Sequence, residues 1–195
     1  LEKASFEDNL GDLFGKRAKA LIHEINFKRI LFEHKNWLKQ PVRLIDGLVQ
    51  IDQYFFPNIT KNFIDHEIKE MIKDIEPYLH NNMNPIEKVK VINQVLFEIY
   101  KLSGDKKNYH NPENSSFGNM LKNKKGNPLT ISALYIEISR QLGLPIKGIN
   151  LPNHFVVGYL KDDSISIHQS ITNFKRSDVI FYINPFSFTA VIFRN

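Results

Sequence analysis

The spacing of apolar positions changes period once along this chain, and the change divides it. In "NLGDLFGKRAKALIHEIN" the residues Leu10, Leu13, Phe14, Ala18, Leu21, Ile22 and Ile25 recur three and four apart, the spacing of one helix face. "NWLKQPVRLIDGLVQIDQYFFP" breaks at Pro41, after which Val42, Ile45, Leu48 and Val49 resume the pattern. In "NITKNFIDHEIKEMIKDIEPYLH" Ile64, Ile68, Met71, Ile72 and Ile75 share a face, with Lys and Glu opposite. "NPIEKVKVINQVLFEIYKLSG" opens with Asn84 as N-cap, Pro85 in the first turn and Glu87 at the third position, and its helix is expected to end at Gly104. The first half therefore reads as about four helices with short connectors.

From Gly104 to Gly126 the periodicity vanishes. "GDKKNYHNPENSSFGNMLKNKKG" is turn chemistry, with Phe117, Met120 and Leu121 suggesting a short helical anchor. "GNPLTISALYIEISRQLGLP" then reads as a loop and a helix: Asn127 caps, Pro128 suits the first turn, and Ile131, Leu134, Tyr135, Ile138 and Leu142 form the buried stripe. Gly143 stops the helix and Pro145 prevents its continuation. After that the period becomes two. "IKGINLPNHFVVGYLKDD" and "SISIHQ" read as strands around a turn at Asp162–Ser164, and "DVIFYINPFSFTAVIFRN" as one or two more, interrupted at Asn184–Pro185. Helices followed by an antiparallel sheet make the fold class α+β. Residues 1–83 form an N-terminal helical region and 84–195 the core, with short connectors favouring one continuous body.

Composition narrows the chemistry. The chain has 195 residues and no cysteine, which removes disulfides, thiolate catalysis and cysteine-bound zinc. The other histidines (His23, His34, His66, His80, His110 and His168) lack metal-ligand spacing, so no metal or cofactor is implied. No apolar run approaches the roughly 20 residues of a membrane span, and the N-terminus lacks the layout of a signal peptide, so a cytoplasmic protein is expected. The net charge of +5 raises a nucleic-acid partner. Its densest spots, "KNKKG" and "GDKKN", lack interleaved stacking aromatics and read as solvated loops.

Residues 84–186 carry a resemblance. "NPIEKVKVINQVLFE", "NYHNPENSSFGNMLKNKKGNPLTISALYIEISRQLGLPIKGINLPNHFVVGYL" and "FYINPF" together resemble the SirB-type branch of the transglutaminase-like superfamily. That resemblance implies a papain-like core, a central helix packed on a small antiparallel sheet, with the site at their junction. Active members use Cys-His-Asp, in which a thiolate attacks an amide carbonyl and the imidazole carries the proton. By resemblance the nucleophile position falls on Pro128, the base on His154 and the acid on Asn184. The branch generally has proline at the first of these and aspartate at the third, so Asn184 is a departure. Asn153, where a glycine is usual, and the tail "SFTAV" are others.

Two functions from different classes follow. The first is a non-catalytic transglutaminase-like protein that binds another protein or a peptide through the remnant cleft, with no membrane and no nucleic acid. The candidate binding residues are Tyr109, Asn114, Ser115, Asn127, Asn153, His154 and Asn184. The second is a cryptic hydrolase or acyl-transferase in which Thr130 or Ser132 acts with His154 and Asn184. The helical step argues against it, because Thr130 points about 200° away from Pro128. Glu137 and Arg140, three apart on the central helix, are expected to form a surface pair of little energetic weight.

Overall fold

The computed structural model describes residues 2–39, 43–152, 154–161 and 178–187, without the side chains of residues 2–10 and of His154. The expected strand "SISIHQ", the turn at Asp162–Ser164, Asn153 and the tail "SFTAV" lie outside the described residues. The chain divides into two compact units between Pro41 and Val42. The first is a single helix, α1 (Glu2–Lys39), braced by ion pairs one turn apart such as Arg29–Glu33 at 3.0 Å. Over its whole length the apolar residues do not concentrate on one face, and Leu13, Phe14, Leu21, Ile22 and Ile25 are exposed. The stripe read from the short sequence window dissolves because a further Phe27, Ile30, Trp37 and Leu38 fall on other sides of the helix.

The second unit is α+β. Its helices are α2 (Leu44–Phe55), α3 (Lys61–Ile75), α4 (Pro85–Asn93), α5 (Phe117–Asn123) and α6 (Pro128–Gln141). Its strands are β1 (Ser103–Gly104), β2 (Lys125–Gly126), β3 (Ile146–Leu151), β4 (His154–Leu160) and β5 (Val179–Ile183). The helix starts follow local chemistry. Thr60 caps α3, while Asn84 and Glu87 close a reciprocal box at α4. The fourth helix ends earlier than its sequence suggests. It loosens into a π-helical turn over Gln94–Ile99, Lys101 takes a left-handed φ of 57°, and Gly104 lies in β1 rather than at the helix end.

Strands β3, β4 and β5 form an antiparallel sheet in that order, with Gly148 opposite Val157 and Val157 opposite Ile183. Helix α6 packs across β3 and β4. Its Ile131, Leu134, Tyr135 and Ile138 join Ile45 and Val49 of α2, Ile64, Ile68, Met71 and Ile75 of α3, and Val157, Tyr159 and Phe181 of the sheet in one core. Each such aliphatic side chain contributes about 1.5–3 kcal/mol on burial. The buried Tyr135 hydroxyl donates to Asn93 Oδ1 at 3.0 Å, which ties α6 to the end of α4. A smaller cluster of Val156, Leu160, Val179 and Tyr182 completes the sheet. No helix among the described residues is long and apolar enough to cross a membrane.

Glu137 corrects the expectation of a surface pair. It is 1% exposed and lies at the centre of a charge cluster. Its carboxylate accepts from Arg140 Nε at 3.0 Å and Nη2 at 2.8 Å, from Gln141 Nε2 at 2.8 Å, and from Arg43 Nε at 3.2 Å. Arg43, just before α2, also donates to Asp65 of α3 at 3.1 Å. Three helices thus meet at one carboxylate. The helical periodicity places Glu137 beside Arg140, but only the docking of α2 and α3 covers it.

Burial pushes the Glu137 carboxyl up, and the hydrogen bonds of Arg140 and Gln141 with the charges of Arg140 and Arg43 outweigh it and hold it below its usual range. Its stabilisation is therefore full above the unfolded glutamate value, near about 4.3, and fades as pH falls through the lower folded value. Breaking a fully buried pair costs roughly 3–5 kcal/mol. Arg43 and Arg140 are 25% and 28% exposed, so we expect E137Q to lose about 2 kcal/mol at neutral pH. Urea unfolding measures this. Below about pH 4.3 the wild-type advantage should shrink; an advantage independent of pH would exclude the charge cluster as its source.

Candidate functional site

The loop before α6 is built from its own amides. The Asn127 side chain accepts from Thr130 N at 2.9 Å, and Thr130 Oγ1 accepts from Asn127 N at 3.1 Å, closing a box around the first turn of α6. Pro128, the first helical residue, needs no partner for a missing N–H. The same Thr130 hydroxyl donates to Asn114 O at 2.9 Å. Asn127 Nδ2 donates to Ser115 Oγ at 3.0 Å. A side chain at Gly126 would collide with Met120 and Thr130, its Cβ lying 2.5 Å from Met120 Cγ, so only glycine admits this approach.

A two-residue parallel ladder carries the preceding segment to the same place. Ser103 pairs with Lys125 and Gly104 with Gly126, and Asp105 N donates to Gly126 O at 3.0 Å. Asp105 is buried, accepting from Asn108 N at 3.0 Å and Asn114 Nδ2 at 3.4 Å. The Asn108 N–H, helped by Asn114 and the nearby charge of Lys125, holds the Asp105 carboxyl below its usual range. Asn114 Nδ2 also donates to Asn108 O at 2.7 Å, so the long loop is cross-braced. Helix α5 is set by Asp52 of α2, whose buried carboxylate accepts from Gly118 N at 2.6 Å. Burial pushes that carboxyl up against the hydrogen bonds it receives.

The third component comes from beyond β5. Asn184 Oδ1 accepts from Phe186 N at 3.1 Å, turning the chain so that the Phe186 ring lies directly over Gly104. Tyr109 meets that ring edge-on at 6.1 Å between centroids, and is 48% exposed. Asn184 follows Ile183, whose partner Val157 is three residues past His154, so strand pairing brings Asn184 to the start of β4.

The sequence-named residues thus separate into groups. Asn114, Ser115, Asn127, Pro128 and Thr130 share one loop and helix start, and Tyr109 and Asn184 join them through Phe186, Gly104 and the ladder. Ser132 does not join. It is fully buried in the core and its hydroxyl has no hydrogen-bond partner among the described residues. Thr130 is 3% exposed with its hydroxyl engaged on both sides. Among the described residues no three His, Asp or Glu side chains converge to hold a metal. Sequence reasoning missed Asp105 and the ladder. The Asp105-to-Asn108 spacing of a side-chain-capped turn was a signal, but two-residue strands leave none.

A family model described as the transglutaminase-like superfamily matches residues 62–195. The chain is 29% identical over 124 residues to a UPF0162 protein of Xylella fastidiosa (strain Temecula1), which covers 62% of this chain and 42% of that protein. It is 29% identical over 165 residues to F-box only protein 21 of Mus musculus, covering 72% and 26%. A UPF0162 protein of Vibrio cholerae is 21% identical over 116 residues, covering 60% and 43%. The chain spans less than half the length of these curated relatives. No solved structure matches it.

If Thr130 serves the loop, T130V, which keeps the shape and removes both hydrogen bonds, should lose about 1–2 kcal/mol in urea unfolding. T130S should retain most of it. Equal stability of T130V and wild type would remove the structural role assigned to the hydroxyl.

Proposed function

The chain belongs to the transglutaminase-like superfamily, and we propose that it is a SirB-type member that binds a protein or peptide segment at the remnant site without modifying it. The observation that carries this reading is the start of α6. Where active members of the superfamily carry a thiol, Pro128 stands as the first helical residue, and the chain has no cysteine at all. A proline side chain neither attacks a carbonyl nor transfers a proton. The hydroxyls nearest in sequence do not replace it: Thr130 is bound within the loop and Ser132 is sealed in the core. What the site presents instead is an exposed aromatic edge, Tyr109, backed by Phe186 and flanked by the amide-rich loop.

The company of the domain supports the same reading. In F-box only protein 21 the matched stretch is 26% of the chain, and in the Xylella fastidiosa UPF0162 protein 42%, so related stretches occur beside other material. A partner held at Tyr109 and the Asn127 loop suits a module that recruits rather than converts.

Two measurements test this. Intact protein incubated with a fluorophosphonate probe should give no labelling above the heat-denatured control; a covalent adduct mapped to Thr130 or Ser132 would revive the hydrolase reading. Peptides selected on the protein from an unbiased display library should bind reversibly, and Tyr109→Ala should weaken them about tenfold with thermal unfolding unchanged. Selected peptides that bind the Tyr109→Ala protein as tightly as wild type would place recognition elsewhere.

A further inference from the structure

The positive charge of this chain is concentrated. Residues 101–128 hold Lys101, Lys106, Lys107, Lys122, Lys124 and Lys125 against Asp105 and Glu113, a net +4 in a chain of +5. Along the sequence these lysines form two separate short runs, which read as unrelated solvated loops. The β1–β2 ladder puts the runs side by side, since Ser103 lies opposite Lys125 and Gly104 opposite Gly126. Paired strands stand about 4.8 Å apart, so like charges that the sequence keeps distant are brought to one edge of the fold.

Internal partners leave most of this charge unbalanced. Lys124 is committed: its Nζ lies 2.7 Å from Glu67 Oε2 and sits over the Tyr100 ring. Lys101, Lys106, Lys107, Lys122 and Lys125 are exposed and have no ion pair among the described residues. Of the two acids of the segment, Asp105 is buried and Glu113 is exposed, and both accept from loop donors. Asp105 accepts from Asn108 and Asn114, and Glu113 from Asn123 Nδ2 at 3.4 Å. Folding sets these like charges on neighbouring backbone and balances little of them beyond the charge of Lys125 near Asp105, which is the pattern expected when the compensating charge arrives with a partner.

The cluster adjoins the candidate site through the same backbone. Gly104 carries the Phe186 ring, Gly126 leads into Asn127 and Pro128, and Lys107 precedes Tyr109 by two residues. We propose that the site takes an acidic peptide segment, with its carboxylates on the lysines of the β1–β2 ladder and an apolar or aromatic side chain against Tyr109 and Phe186. The inference rests on the binding reading above and adds the partner's chemistry. A single-stranded nucleic acid fits less well, because such grooves track the strand with several open stacking faces. Here Tyr109 is packed edge-on between Phe186 and His110, at interplanar angles of 90° and 86°, which is no run of platforms.

The test is fluorescence anisotropy on the intact protein. The probes are a short glutamate-rich peptide with a central phenylalanine, its lysine-rich counterpart, a neutral peptide with the same phenylalanine, and an oligodeoxynucleotide of matching charge. The glutamate-rich peptide should bind most tightly and weaken as salt rises, as screened contacts do. Joint replacement Lys106→Glu, Lys107→Glu and Lys125→Glu should weaken it at least about tenfold, and the joint Lys→Gln set should weaken it less. Neither set should shift thermal unfolding by more than a degree or so, because Lys106 and Lys107 have no ion pair among the described residues and the charge of exposed Lys125 near Asp105 is screened by solvent. A control pair on α3 and α4, Lys69→Glu with Lys90→Glu, should leave binding within about twofold. Losses in the control and ladder variants that scale with the charge changed, two lysines against three, would reduce the effect to net charge and overturn the assignment, as would tighter binding of the oligonucleotide. If the neutral peptide binds as tightly as the acidic one and both are lost on Tyr109→Ala, the acidic preference fails while the binding site stands. If no peptide binds, both readings fall.

Discussion

A carboxylate with almost no exposed surface sits where three helices meet, and their packing depends on how it is satisfied. Glu137 of α6 receives Arg140 and Gln141 from its own helix and Arg43 from the start of α2, and Arg43 reaches on to Asp65 of α3. Leaving such a group unpaired costs far more than an exposed pair contributes. The cluster adds a directional requirement to the apolar contacts between α6, α2 and α3, because a buried carboxylate accepts only partners placed at hydrogen-bond distance. Once α6 is held at this end, the Asn127–Thr130 box at its other end has a fixed place against the sheet.

That far end carries the candidate site, and it is organised almost wholly by neutral hydrogen bonds. Asn114 braces the long loop, Asn127 closes the helix start, and Asn184 turns the chain so that Phe186 covers Gly104. These groups position backbone and rings and supply no nucleophile. An asparagine in place of aspartate at 184 still accepts the Phe186 N–H, so the turn does not need the negative charge, whereas stabilising an imidazolium would.

Several residues that carry the family resemblance are structural. Asn93, ahead of the Leu-Phe pair, receives the buried Tyr135 hydroxyl; Gly126 admits Thr130; Gly143 takes a positive φ of 68° beyond α6. Each of these positions serves the fold. Likeness in them therefore speaks to architecture more than to chemistry.

Local chemistry made much of this protein legible before any tertiary contact. Asn84-Pro85 and Asn127-Pro128 start helices because the asparagine side chain accepts from orphan N–H groups of the first turn and the proline has no N–H to leave unpaired, in any context. The switch of period from about 3.6 to two marks the sheet because each backbone has its own repeat. The absence of cysteine excludes a thiol whatever the fold. Tertiary structure decided the rest. Periodicity placed Glu137 beside Arg140 on one helix, but only the docking of α2 and α3 buried it, since burial belongs to the neighbours and not to the residue. Likewise "GDKKN" and "KNKKG" stand apart in sequence, and a ladder two residues long, too short to carry any alternation of its own, put their backbones side by side.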